Sequence, residues 1–139
     1  MIHIQMLQKL NIKRGGFTLV EIMIVVTIIA LLAMISVPNF LRSRRRSQAT
    51  QVLQDLRMID SAISMYAVEN NKSASSGVSW TDVRIYLKPG TRLEASGAKD
   101  VIGSTFTIPA VDTTPKVPLA TFNALSNEAP TSFWSPYNQ

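Results

Sequence analysis

From Phe17 to Leu41 the chain is almost continuously apolar, and that run limits what the molecule can be. Its 25 residues hold one charged side chain, Glu21, close to the start. As an α-helix the run rises about 37 Å, enough to cross a bilayer core of about 30 Å. The densest part, Ile22 to Val37, is interrupted only by Thr27 and Ser36. Apolar side chains then surround the helix and leave no face for water. A helix of this kind is buried in lipid or among copies of itself.

The flanks are basic. Lys9, Lys13 and Arg14 precede the run, with Gly15-Gly16 as a small-residue break before Phe17. Arg42, Arg44, Arg45 and Arg46 follow it. The formal charge is +5, and a cut after Gly16 removes three positive charges and no acid, leaving +2. The basic balance therefore reflects the flanks of the apolar run rather than a nucleic-acid surface. Counting Lys and Arg on the two sides gives three against four, so the positive-inside rule does not choose an orientation.

Two simpler layouts compete. A cleaved secretory signal has an apolar region of roughly 7–15 residues and a small-x-small site after it. This run is longer, and Ala30 and Ala33 lack that spacing. An uncleaved signal anchor accounts for the run but not for Gly15-Gly16 or Glu21. A carboxylate at the centre of a bilayer costs ~2.5–3.5 kcal/mol, and less near an end. Such an acid calls for a partner. A cut after Gly16 creates an amine on Phe17, one helical turn from Glu21. The amine of a staggered neighbouring copy also suits it; alternatively Glu21 sits at headgroup level beside its own amine.

Gly16-Phe17-Thr18-Leu19-Val20-Glu21 resembles the processing motif of type IV prepilins and type II secretion pseudopilins. In that family a membrane aspartyl peptidase cuts after the glycine and methylates the new N-terminal phenylalanine. The resemblance implies cleavage between Gly16 and Phe17, N-methylation of Phe17, and an assembly role for Glu21. Pro38 stands where many members carry a helix-breaking proline. The resemblance covers about residues 13–41, weakening towards residue 70. It implies a leader in the cytoplasm, a head in the periplasm, and a single-pass helix in the inner membrane until assembly. The implied partners are further copies in a helical filament, other pilin-like subunits, the prepilin peptidase and an inner-membrane assembly platform.

Pro38 lacks an N–H and is expected to kink or loosen the helix rather than end it. Beyond it, Ala49, Val52, Leu53, Leu56, Ile59, Ala62, Ile63, Tyr66 and Ala67 recur at steps of three and four. Gln51, Gln54, Asp55, Arg57, Asp60 and Ser61 fill most of the other face. The spacing predicts an amphipathic helix of about 28 residues, roughly 43–70, closed by Asn70-Asn71 and a serine-rich stretch. The layout is then a leader at 1–16, an apolar assembly helix at 17–41, an amphipathic helix at 42–70 and a small head at 71–139.

In the head, Ser79-Trp80-Thr81-Asp82 reads as a capped helix start, with a helix over 80–88 stopped by Pro89-Gly90. Brief strands are expected at 91–95, 105–108 and 117–122. Phe133, Trp134 and Tyr137 are expected to pack a sheet onto the long helix. The fold class expected is α+β: a long N-terminal helix on a small head with a short helix and a few antiparallel strands, pilin-like.

Chemistry is sparse. His3, the single histidine, lies in the leader, and there is no cysteine. The processed chain therefore lacks a histidine base and a thiol nucleophile, and no catalytic residue, metal site or cofactor is expected. Asp100 and Asp112 read as isolated acids. Major pseudopilins often bind calcium in an acidic C-terminal loop, but the last 25 residues here hold one acid, Glu128. The arginine run has no interleaved aromatics, so nucleic acid is not an expected partner. The reading is a non-enzymatic filament subunit. A small head without the cysteine pair of many pilins favours the pseudopilus over the pilus. The alternatives are an uncleaved membrane-anchored extracytoplasmic binding domain and a DNA-uptake pilin.

Overall fold

The computed structural model describes residues 15–139. Residues 1–14, where most of the expected leader falls, including His3, Lys9 and Lys13, lie outside the described residues. The helices, in chain order, are α1 (Leu19–Glu69), α2 (Trp80–Arg84), α3 (Arg92–Ser96) and α4 (Leu119–Leu125), followed by a 3-10 turn at Thr131–Trp134. The chain divides into two compact units, with the boundary between Pro38 and Asn39.

Among the described residues of the first unit, every large apolar side chain is exposed, from Phe17 at 84% to Ile22 at 50%. The helix from Leu19 is long and apolar enough to cross a membrane, and none of its most apolar window is buried within the chain. Pro38 lies inside α1, which continues to Glu69.

In the second unit, the three- and four-residue spacing becomes a buried stripe. Val52, Leu56, Ile59 and Ala62 are essentially inaccessible. They form one core with Val83, Leu93, Phe106, Val117, Leu125 and Trp134. The helix stops where Asn71 takes a positive φ of 48°, a conformation that Asn tolerates better than most residues. The Lys72 N–H then bonds the Ala67 carbonyl at 2.9 Å, satisfying a last-turn acceptor. Asp55, expected on the polar face, is instead buried. It pairs with Arg92 on α3 and accepts from Gln51 Nε2 at 3.2 Å. Burial is the dominant influence on its carboxyl and raises its pKa, with Arg92 opposing.

The expected strands are not there: among the described residues there is no strand, only an isolated antiparallel bridge between Lys99 and Thr105. The expected strand at 91–95 is α3. Thr91 supplies an extended N-cap backbone, Arg-Leu-Glu-Ala are favourable helix formers, and Gly97 ends the helix at φ 69°. The expected strand at 117–122 is replaced by α4, whose Thr121 and Leu125 face the core one turn apart. Leu and Ala favour that helix, and Pro118 sets its entry. The strand at 105–108 is reduced to the bridge because Asp100 organises the chain before it. Its Oδ1 accepts from the N–H groups of Ile102, Gly103 and Ser104 at 2.8–2.9 Å, and Thr121 donates to Oδ2. Asp100 is therefore not isolated. A carboxylate with this many donors can be buried without a cation.

The capped start at Ser79 forms: the Asp82 carboxylate accepts from the Ser79 N–H at 2.9 Å. The Ser79 hydroxyl, which also donates to this carboxylate, and the Ser79 N–H together hold the Asp82 pKa below the usual carboxylate range. The helix ends sooner than expected, at Arg84. Tyr86 and Leu87 close tighter turns onto Val83 and Arg84, and Pro89 disfavours a helical Lys88. The C-terminal aromatics do serve the core, without a sheet between. Trp134 is fully buried, donates to the Ala129 carbonyl at 3.1 Å, and meets Phe133 edge-to-face at 5.2 Å. Tyr137 donates its hydroxyl to Asp60 on α1 at 3.2 Å.

Candidate functional site

The sequence singles out Gly16, Phe17 and Glu21, and the structure sets them at the start of α1. Gly15 through Thr18 are non-helical and exposed, and the helix begins at Leu19. A Cβ added at Gly16 meets no atom within 4 Å. Packing inside this chain therefore does not require glycine there. Phe17 is exposed over most of its surface.

Glu21 already has a partner, and it is Thr18. The Thr18 N–H donates to Glu21 Oε2 at 2.8 Å and the Thr18 hydroxyl to the same oxygen at 3.0 Å. In return the Glu21 N–H reaches Thr18 Oγ1 at 3.2 Å. This is a capping box: the cap residue and the third helical residue satisfy each other's backbone donors. The carboxylate also lies at the positive end of the helix dipole. The Glu21 Oε1 atom makes no hydrogen bond among the described residues.

Thr18 is the partner of Glu21 that sequence reasoning missed, although its signal was present. Thr18-x-x-Glu21 followed by an apolar run is itself a helix-start pattern. The box answers part of the demand for a partner at Glu21 without invoking a second copy. Pro38 is not brought together with these residues; it lies 17 positions further along α1.

Elsewhere, among the described residues, no three His, Asp or Glu side chains group as metal ligands. An open groove of about 790 Å³ in the second unit is lined by Asp60, Ser64, Asn71, Lys72, Asp112 and Thr114, among others. Its lining contains no histidine or cysteine, and Asp60 is already bonded to Tyr137. What the start of α1 offers is a capped, exposed, apolar helix with one acid and an accessible glycine–phenylalanine bond before it.

The sequence around this helix start matches a known family pattern. Residues 11–37 match the family described as the prokaryotic N-terminal methylation motif, and the chain carries that motif. Among curated relatives it is 34% identical over 64 residues to the type II secretion system core protein G of Pectobacterium carotovorum subsp. carotovorum. That match covers 46% of this chain and 41% of the relative. It is 36% identical over 59 residues to the core protein G of Escherichia coli, covering 42% and 41% of the two chains. It is 41% identical over 61 residues to the type IV wide pilus major component PilA4 of Thermus thermophilus, covering 44% and 47%. The matches span less than half of each of these relatives. No solved structure matches.

Proposed function

We propose that this chain is a structural subunit of a helical filament of the type II secretion pseudopilus or type IV pilus kind. The observation that carries the reading is the methylation motif joined to an exposed apolar helix capped by its own Thr18 and Glu21. Residues 1–16 are the leader, 17–41 the membrane and assembly segment, 42–70 the amphipathic helix and 71–139 the head. The subunit waits in the inner membrane with the leader in the cytoplasm and the head in the periplasm. A prepilin peptidase cuts between Gly16 and Phe17 and methylates the Phe17 amine. An assembly platform then moves the subunit into a filament with further copies and other pilin-like subunits.

Several physical points support each step. The space around Gly16 is empty, so its lack of a side chain serves an extended fit in a peptidase rather than this fold. A helix that is apolar all round exchanges lipid for the helices of its neighbours without exposing polar groups. Glu21 keeps Oε1 for an external donor while Oε2 is held by Thr18. The amine of an incoming Phe17 fits that role and sets an axial register, since a paired carboxylate in a dry core is directional. Pro38 lets α1 adjust where membrane-facing sequence gives way to the packed stripe.

The reading is tested by shearing filaments from cells that express the chain with a peptidase and an assembly platform. Wild-type chains are expected in the sheared fraction, and chains with Gly16 replaced by a bulky residue only in the membrane. Recovery of the uncut variant in filaments contradicts the proposal.

A further inference from the structure

The reading above leaves the four arginines after the apolar run without a task. Arg45 is accounted for: its Nη1 lies 3.5 Å from Glu128 Oε1. Arg42, Arg44 and Arg46 are exposed and make no ion pair among the described residues. At about 100° per residue, Arg42 and Arg46 share one side of α1 and Arg44 takes the opposite side. Charges on both sides of a helix suit a surrounding anionic layer better than a single neighbour.

A second copy of this chain has little to offer them. Seven of its nine acids are already bonded within the chain, to Thr18, Arg92, Tyr137, Ser79, Arg84, the Asp100 loop and Arg45. That leaves Asp112 and Glu69, and Glu69 lies beside Tyr86. Three arginines per copy outnumber those acids.

Position along the chain supplies a better match. Leu19 to Pro38 is 20 helical residues, rising about 30 Å, the thickness of a bilayer core. Arg42 follows one helical turn later in the sequence. We propose that Arg42, Arg44 and Arg46 form a collar that binds the phosphates of anionic phospholipids in the membrane leaflet on the head side. The proposal rests on the membrane-held state of the reading above. Guanidinium matches phosphate with paired, charge-assisted hydrogen bonds. The collar holds the waiting subunit at a fixed depth. It also accounts for why basic residues stand on the side where topology alone does not call for them.

The absence of native cysteine makes the test clean. The full chain, with Ser43→Cys carrying a fluorophore, is reconstituted in nanodiscs of zwitterionic phosphatidylcholine. A small fraction of headgroup-spin-labelled lipid is added, either phosphatidylglycerol or phosphatidylcholine. With the arginines intact, the fluorophore is expected to be quenched at least about fivefold more effectively by the anionic lipid, one surface arginine's worth of attraction. That preference is expected to shrink at high salt. The R42Q/R44Q/R46Q variant is expected to lose the preference while keeping its quenching by spin-labelled phosphatidylcholine. Equal quenching by both lipids in the parent chain, or an unchanged preference in the variant, overturns the collar. If the parent shows no preference but the variant forms fewer filaments, the arginines serve a protein acid instead and the proposal fails. Absence of quenching by either lipid means that the residue is not at a membrane surface, and the membrane reading falls with it.

Discussion

Glu21 Oε2 receives both the N–H and the hydroxyl of Thr18, at 2.8 and 3.0 Å. The acid closes the first turn of α1, and the proposed filament gives it a second, separable task, offering a negative charge to a neighbour. Glutamine at position 21 separates them, because Gln also closes a capping box. Glu21→Gln, like Glu21→Ala, is expected to keep membrane insertion and cleavage but to fail in filament assembly. Wild-type filament yield from processed Glu21→Gln subunits would show that the cap, not the charge, is what assembly needs.

Thr18→Ala tests the cap from the other side. Loss of a threonine N-cap costs ~0.5–2 kcal/mol. The expected consequence is faster amide exchange over Leu19–Ile22 in lipid, with the rest of α1 unchanged. Unaltered exchange there would place the helix start under some other control.

The second unit depends on Trp134. It is fully buried, and its indole N–H is satisfied by Ala129. Trp134→Ala is expected to destabilise residues 43–139 by about 3–5 kcal/mol, read from the denaturant midpoint at constant slope. A shift near zero would mean that the tryptophan does not anchor the core.

The contrast between α1 and the rest shows what was legible in the chain. The stripe from Ala49 to Ile63 was readable because seven apolar positions repeat at helical spacing, and all seven are buried. The Ser79–Asp82 cap was readable because it is local chemistry. The segments at 91–95 and 117–122 were misread because short apolar runs are ambiguous between strand and helix. Their decisive cues were the Thr91 cap, Gly97 and the Thr121–Leu125 spacing. Asp55 and Asp100 were misread for a different reason. Their partners, Arg92 and Thr121, are distant in sequence, and a buried acid cannot be told from a surface acid without them. At the candidate site, the motif singles out Gly16, Phe17 and Glu21 as the proposed processing and assembly residues, whereas the Thr18–Glu21 capping box was missed although its spacing is written in the sequence.

Asp55 makes the stability of this unit depend on pH. Its carboxyl is raised in the folded chain, mainly by burial. An acid raised on folding contributes stability below its unfolded value and loses it as pH rises through the folded value. Asn at position 55 does not titrate. Wild type is therefore expected to lose stability relative to Asp55→Asn as pH rises from the ordinary aspartate range through the weakly acidic range. A relative gain by wild type over that window, in thermal melts of the two proteins, would mean that pairing with Arg92 outweighs burial.

Residues 43–139 without the apolar segment are expected to form a soluble monomer, since they lose the segment whose large apolar side chains are exposed all round. Sedimentation at increasing concentration checks this. Regular filaments from that fragment would put the assembly surface outside α1's apolar part.

The central claim is that the bond between Gly16 and Phe17 is cut before the chain assembles. Intact-mass measurement after co-expression with a prepilin peptidase tests it most directly. The expected product is a chain shortened by 16 residues, beginning at Phe17 and heavier than the bare fragment by the single CH2 that N-methylation adds. A full-length chain still carrying Met1 to Gly16, recovered beside an active peptidase, would contradict it.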